Sequence, residues 1–166
     1  MKLSSNRFVY EIMGCAMRVH EALGCGFLEA VYGDALEVEF RKCGIPYVRE
    51  DDIQVYYDGA PLKTHYRADF TCYGRQVIVE LKAIKSISKV EWSQVLHYMK
   101  ATRIPYALLV NFGRLSLQYD AFDADAMASV FAAADEGDSA TDPRRASGGV
   151  GATPPPQEAN PGTECC

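Results

Sequence analysis

The sequence predicts a mixed α/β fold, with one sheet of parallel and antiparallel strands flanked by helices. Three observations lead there. The first 43 residues repeat apolar side chains at helical spacing. Two turn signals, Asp58-Gly59 and Gly74-Arg75, join three runs that read as strands. A third helical stretch then leads to another apolar strand, and such a crossover returns a strand parallel to one already in the sheet.

Taken in order, Ser5 to Leu23 places Phe8, Ile12, Cys15, Val19 and Leu23 on one stripe, with Ser4 or Ser5 as N-cap. Gly24-Cys25-Gly26 breaks the pattern. Phe27 to Cys43 is a second helix, striped by Leu28, Val31, Ala35 and Val38 with Leu36 and Phe40 beside them, and stopped by Gly44, with Pro46 just beyond. Pro46 to Tyr57 alternates as a strand and ends at the Asp58-Gly59 hairpin signal. Thr64 to Tyr73 sets Tyr66, Ala68, Phe70 and Cys72 on one face and His65, Arg67, Asp69 and Thr71 on the other. After Gly74-Arg75, Gln76 to Ala83 is short, apolar and β-branched, which reads as a buried strand. Ser88 to Thr102 is a third helix, capped by Ser86 or Ser88, with Glu91 in its first turn and Trp92, Val95, Leu96 and Met99 on its apolar face. Pro105 to Asn111 and Leu115 to Phe122 are the last two strands. Residues 1–123 are therefore expected to form one domain.

The composition changes at Ala124. After a weak helical stretch from Ala126 to Ala134, Gly, Pro, Ser, Thr and Ala dominate. Residues 124–166 are expected to be a low-complexity, disordered acidic tail, because such a segment buries too little surface to offset its ordering entropy. The charge follows the same boundary. Up to Asp123 there are 15 basic and 15 acidic residues, and from Ala124 onward 2 and 7. The net charge of −5 thus lies in the tail and weighs little against a polyanionic partner for the folded part. Nothing resembles a membrane span or a secretory signal, so the expected location is cytoplasmic, with no membrane partner. The six cysteines show no C-x-x-C spacing and no nearby His pair, which argues against zinc and a disulfide framework. Cys165-Cys166 would read as a prenylation signal only in a eukaryotic cell.

Within the strand from Val77 to Ala83, Glu80 and Lys82 are out of place, because charges are costly in a buried strand. Two residues apart, they share a face and lie roughly 6–7 Å from each other. With the turn at Gly74-Arg75, residues pair where their numbers sum to 149, which sets Asp69 opposite Glu80, within a one-residue slip. Two adjacent carboxylates repel unless a cation lies between them, and a hard divalent ion is the economical solution. Lys82 would then point at whatever the ion binds, more as a catalytic group than as a partner for Glu80. The plain alternative is a solvated Glu–Lys pair. Glu29, in the first turn of the second helix, and Tyr32, one turn on, admit equally ordinary readings: an acid favoured by the helix dipole and a core tyrosine. Gln94 and Tyr98 share a face of the third helix beside its apolar stripe. Lys82, Lys85 and Lys89 form a basic stretch that would meet a phosphate backbone or simply face water.

Taken together, Gly26-x-x-Glu29-x-x-Tyr32, Arg67-Ala68-Asp69, Val79-Glu80-Leu81-Lys82-Ala83 and Gln94-x-x-x-Tyr98, in that order, resemble the GxxExxY family, a branch of the PD-(D/E)XK nuclease superfamily. The resemblance runs from about Phe8 to Phe122. It implies a restriction-endonuclease-like αβββαβ core with an extra N-terminal helix. It also implies a Mg²⁺-dependent nuclease (Mn²⁺ serving as well) that hydrolyses phosphodiester bonds in nucleic acid, DNA ahead of RNA. By the same resemblance Asp69 and Glu80 are the metal-binding acids, Leu81 lends its carbonyl, Glu29 supports the metal site, Lys82 is the active-site lysine, and Gln94 and Tyr98 line the site. Ala68 stands where the superfamily pattern has Pro, and the acidic tail is outside the pattern. The alternative is a catalytically silent module on a nuclease fold that binds nucleic acid or protein.

Overall fold

The computed structural model describes residues 6–127. Its elements are α1 (Arg7–Leu23), α2 (Glu29–Cys43), β1 (Tyr47–Tyr57), β2 (Ala60–Cys72), β3 (Val77–Lys82), α3 (Lys89–Thr102), β4 (Tyr106–Asn111) and β5 (Gln118–Asp123). The five strands lie side by side in chain order, β3 and β4 parallel and every other pair antiparallel. This is the mixed sheet expected, with the αβββαβ core preceded by one extra helix. Helix α3 is the crossover that makes β4 parallel to β3.

Local chemistry explains most boundaries. Asn6 caps α1, its side chain accepting from the Phe8 and Val9 amides; the expected caps Ser4 and Ser5 lie outside the described residues. Leu28 precedes α2, so Glu29 is its first helical residue, and Gly44 ends it at φ +67°. Ser88 and Glu91 form the reciprocal capping box of α3. Asp58 and Gly59, both at positive φ, make the two-residue turn between Tyr57 and Ala60. Strand β2 begins at Ala60, four residues earlier than its pattern suggested, because residues 60–67 are all exposed and carry no alternation to read. Strand β5 begins at Gln118 and not Leu115, since residues 113–117 form the turn after β4. The tail beyond Met127, including Cys165-Cys166, lies outside the described residues. Among the described residues no helix is long and apolar enough to cross a membrane.

Helices α1 and α2 cover one face of the sheet and α3 the other. Val77, Val79, Leu81, Leu108 and Val110 pack with Ile12, Val19, Leu36 and Phe40 from α1 and α2. Ile78, Ala107, Leu109 and Phe122 pack with Val95, Tyr98 and Met99 from α3. Strand β3 alternates as expected. Strand β2 does not: Ala68 joins the α3 side, whereas Phe70 and Cys72 join the α1–α2 side. The switch falls at Asp69. Its neighbour across the ladder, Glu50, is at φ +50°, and the pair is skipped between Arg49↔Phe70 and Asp51↔Ala68. Two consecutive even positions can face opposite ways because the backbone turns over at the residue between them.

The segment after β3 is held by Asn111, fully buried at the end of β4. Its Oδ1 accepts from the amides of Ile84 and Gly113, both at 3.0 Å, and its Nδ2 donates to the Ile84 carbonyl at 2.9 Å. This clamp brings Gly113 so close that a Cβ there would lie 2.4 Å from the Ile84 carbonyl oxygen. Both partners are backbone and cannot swing aside. Gly113→Ala is therefore expected to cost about 2–3 kcal/mol, seen as a lower urea midpoint. An unchanged midpoint would show that the clamp yields freely.

Candidate active site

The Gly-x-x-Glu-x-x-Tyr segment is a local device for aiming Glu29. Gly26 turns the chain at φ +109°, a backbone that side-chain-bearing residues rarely adopt. Tyr32 is fully buried, its ring stacked on Phe112 at 4.5 Å between centroids. Its hydroxyl donates to the Gly24 carbonyl at 2.8 Å and accepts from the Phe27 amide at 3.2 Å. The loop is thus tied down on both sides of Gly26, and Glu29 emerges toward the end of β3, where the nearby Ala83 amide and Lys82 favour its charged form. Tyr32→Phe keeps the stacking but strands both loop groups. It is expected to cost about 1–2 kcal/mol and to speed hydrogen exchange at the Phe27 amide. Exchange at the wild-type rate would mean that the hydroxyl does not hold the loop.

Strand β3 supplies the centre. The β2–β3 register follows Phe70↔Val79, Thr71↔Ile78 and Cys72↔Val77, the pairing expected from the turn, and then stops. Asp69 does not continue it. Its side chain takes over, Oδ2 accepting from the Leu81 amide at 2.7 Å. In a strand, a residue's N–H and C=O point to the same side and successive residues alternate. The Lys82 carbonyl accepts from the Phe112 amide on the β4 side. The Leu81 carbonyl therefore turns toward the gap opened by β2, beside Asp69.

Glu80 is 3% exposed. Its Oε1 accepts from Lys82 Nζ at 2.7 Å and from Gln94 Nε2 at 2.7 Å. Gln94 Nε2 also donates to the Tyr98 hydroxyl at 2.6 Å. The other oxygen, Oε2, is buried without a hydrogen-bond partner. Glu29, Asp69, Glu80, Leu81, Lys82, Gln94 and Tyr98 thus gather at this end of β3, with one difference. Lys82 is ion-paired with Glu80, because two side chains on one strand face, shut from water, satisfy each other first.

The charges there are under strain. Burial, with the negative charge of Asp69, pushes the Glu80 carboxyl up to about 7, against the pull of Lys82. Burial likewise raises Asp69, opposed by its bond from the Leu81 amide. Glu29, open to solvent at the rim, is raised by the closeness of the walls, with Lys82 opposing. For Lys82, burial works to remove the proton, but the bond to Glu80 and the surrounding carboxylates outweigh it and hold the pKa above its ordinary value.

Next to these groups a cleft of about 170 Å³ opens between α2 and β2, walled by Glu29, Gly33, Arg49, Asp69 and Leu81. Among the described residues no three Asp, Glu, His or Cys side chains converge closely enough to grip an ion alone. The donor set nonetheless suits a hard cation that keeps part of its water. It offers two acids, a carbonyl turned to the gap, and one carboxylate oxygen with an unspent lone pair.

Comparison with known proteins bears on this geometry. The family model of the PD-(D/E)XK nuclease superfamily matches residues 6–121. The chain belongs to this superfamily. PD-(D/E)XK nucleases usually use divalent metals, and their substrates are nucleic acids, which agrees with acids gathered where β2 and β3 part. No curated protein is significantly similar to the chain. A solved structure described as "Crystal structure of SSO0001" aligns with 18% identity over 83% of this chain and 71% of the other, at a TM-score of 0.48.

Two further residues of this PD-(D/E)XK domain support the site. Arg49 faces the cleft, held by Asp34 at 2.6 Å and Glu37 at 2.7 Å, and its charge partly offsets the burial of Asp69. It stands in a run of charges, Arg49-Glu50-Asp51-Asp52, that looks solvated. Asn111, the clamp behind the site, did leave a signal, as a lone polar residue closing an apolar strand.

Proposed function

We propose that this is a GxxExxY-type enzyme, a divalent-metal-dependent nuclease that hydrolyses phosphodiester bonds, with Mg²⁺ as its ion, Mn²⁺ as a substitute and DNA ahead of RNA as substrate. The observation that carries the reading is the buried, partnerless Oε2 of Glu80 beside Asp69. A buried carboxylate oxygen left unpaired is costly, and a cation is the partner that such a pair of acids lacks. Asp69, Glu80 and the Leu81 carbonyl would hold it, with Glu29 supporting from the rim. When bound, the ion supplies Lewis-acid polarisation of the scissile phosphate and lowers the pKa of a water molecule.

The protein's own groups do the rest. Lys82, held protonated by three surrounding carboxylates, brings a positive charge to the place where negative charge grows on the phosphate, and its N–H groups orient the attacking water. Gln94 fixes the Glu80 carboxylate, and Tyr98 fixes Gln94. Glu29 adds to Glu80 in keeping Lys82 charged.

A catalytically silent binding module would share the fold, and metal titration separates the two. Calorimetry with Mn²⁺ is expected to give saturable binding that Glu80→Gln removes, and Mg²⁺ is expected to support cutting of labelled oligonucleotides. Binding without cleavage of DNA or RNA in single-stranded, duplex and end-blocked forms would favour the silent module. Absence of metal binding would end the nuclease reading.

A further inference from the structure

The cations of the domain fall into two groups. Arg7, Arg18, Arg41, Lys42, Arg49, Arg67, Arg75 and Lys82 all pair with carboxylates. Lys63, Lys85, Lys89, Lys100, Arg103 and Arg114 have no carboxylate partner among the described residues; of these, Lys89 and Lys100 lie on α3 and Arg103 caps its C-terminus, whereas Lys85 and Arg114 line a separate hollow beside Gly113. Two hollows follow that helix on the side of the β1–β2 hairpin, of about 470 Å³ and 600 Å³. They share Tyr66 and His97 and so form one groove. Its inner end is lined by Gln94 and Tyr98, the groups that fix Glu80. Its outer end reaches Tyr56, Lys100 and Arg103. No Asp or Glu lines either hollow.

Two tyrosines of the groove are open to solvent. Tyr66 is 39% exposed and sits against Tyr98 with ring centroids 5.4 Å apart. Tyr56 is 63% exposed. In a concave channel with no carboxylate on its walls, these two rings offer flat faces that a planar ligand can cover. Exposed rings alternating with unpaired cations form the surface that suits unpaired nucleotides. Each base presents a π-face to a ring, and each phosphate meets a cation. A duplex offers its phosphates but keeps its base faces stacked within, so it would use only half of this surface.

We propose that the groove along α3 binds a single strand of unpaired nucleotides and leads it into the Glu80 site, with Tyr66 and Tyr56 as stacking platforms and Lys89, His97, Lys100 and Arg103 facing the phosphates. This rests on the nuclease reading but is separable from it, because strand binding in the groove needs no metal.

The test is fluorescence anisotropy of the full chain in EDTA, with labelled 15-nucleotide DNA, RNA of the same sequence and the blunt DNA duplex. Both single strands, or one of them, should bind at least about tenfold more tightly than the duplex; which of the two binds more tightly identifies the sugar. Tyr56→Ala and Tyr66→Ala should each weaken single-strand binding about tenfold or more, while Tyr66→Phe, which keeps the ring, should bind like wild type. Lys100→Glu with Arg103→Glu should reduce the slope of log K against log salt by about 1.4, the value for two phosphate contacts on a single strand. Duplex binding equal to or tighter than single-strand binding overturns the proposal, as does a Tyr56→Ala variant that binds every oligonucleotide like wild type. If those results came with Mg²⁺-dependent cleavage that Asp69→Asn abolishes, the nuclease reading would stand and only the groove would fall.

Discussion

Asp69→Asn is expected to abolish metal-dependent cleavage while leaving the protein folded. The substitution is chosen because Asp69 has two tasks. Its Oδ2 replaces a lost ladder bond by accepting from the Leu81 amide, and its charge is half of the proposed cation site. Asparagine keeps an oxygen for the amide but carries no charge. The fold should survive, since the buried carboxylate is itself costly; its pKa is raised by burial. A divalent ion supplies several kcal/mol of transition-state stabilisation, so the rate should fall by about 10³-fold or more. The check is the initial rate of labelled-oligonucleotide cleavage in Mg²⁺ and in Mn²⁺, with circular dichroism to confirm folding. A folded variant cutting within threefold of wild type would sink the assignment of Asp69. Lys82→Ala should show a comparable loss with metal binding retained, because the amine is proposed to face the phosphate and not the ion.

The second large effect concerns stability. Glu80 has a folded pKa of about 7, above its ordinary 4.5. Below pH 4.5 it is protonated in both the folded and unfolded chain and costs nothing. Between pH 4.5 and 7 the unfolded chain releases the proton while the folded one keeps it, so stability falls as pH rises. Above 7 the full penalty, of the order of 3 kcal/mol, is in place. Glu80→Gln removes it. The variant is therefore expected to melt above wild type at pH 8 and to lose that advantage by pH 4.5, in metal-free buffer. Added Mn²⁺ should raise wild type and leave the variant unmoved, narrowing the gap at pH 8. A variant less stable than wild type at every pH would mean that the Lys82–Glu80 pair repays its own burial.

The strand carrying Glu80 was legible because its signal is local: β-branched residues, a turn just before, and two charges that burial forbids. The Asp69 neighbourhood followed from the same turn, since one hairpin fixes the register of both strands. The backbone reversal at Asp69 was not legible. An unbroken alternation of Tyr66, Ala68, Phe70 and Cys72 gives no hint that a left-handed Glu50 across the ladder turns the strand over. The pairing of Lys82 with Glu80 was hidden for another reason. Spacing places both on one face but cannot tell whether the amine bends to its neighbour or toward the cleft. Exposed residues 60–67 concealed the start of β2, because a strand with water on both faces has no pattern to display. Arg49 was masked by the charges beside it.

Strand β2 pairs with β3 only from Phe70 to Cys72, so from Ala60 to Ala68 its only strand neighbour is β1. The outer half of that hairpin is stitched to a single neighbour and bulges between Gln54 and Tyr56. Val77 to Leu81, by contrast, are all buried, with helices over both faces and β4 paired along their whole length. The two regions should breathe on separate clocks. Amides from Gln54 to Tyr57 are expected to exchange with deuterium on the order of a hundredfold faster than those of Val77 to Leu81, as mass spectrometry of labelled peptides would read. Equal protection would mean that hairpin and sheet open as one unit. With separate openings, the arm that bears Tyr56 can lift and settle while the acids at the end of β3 keep their positions, and threading a polymer past the site would not require disassembling it.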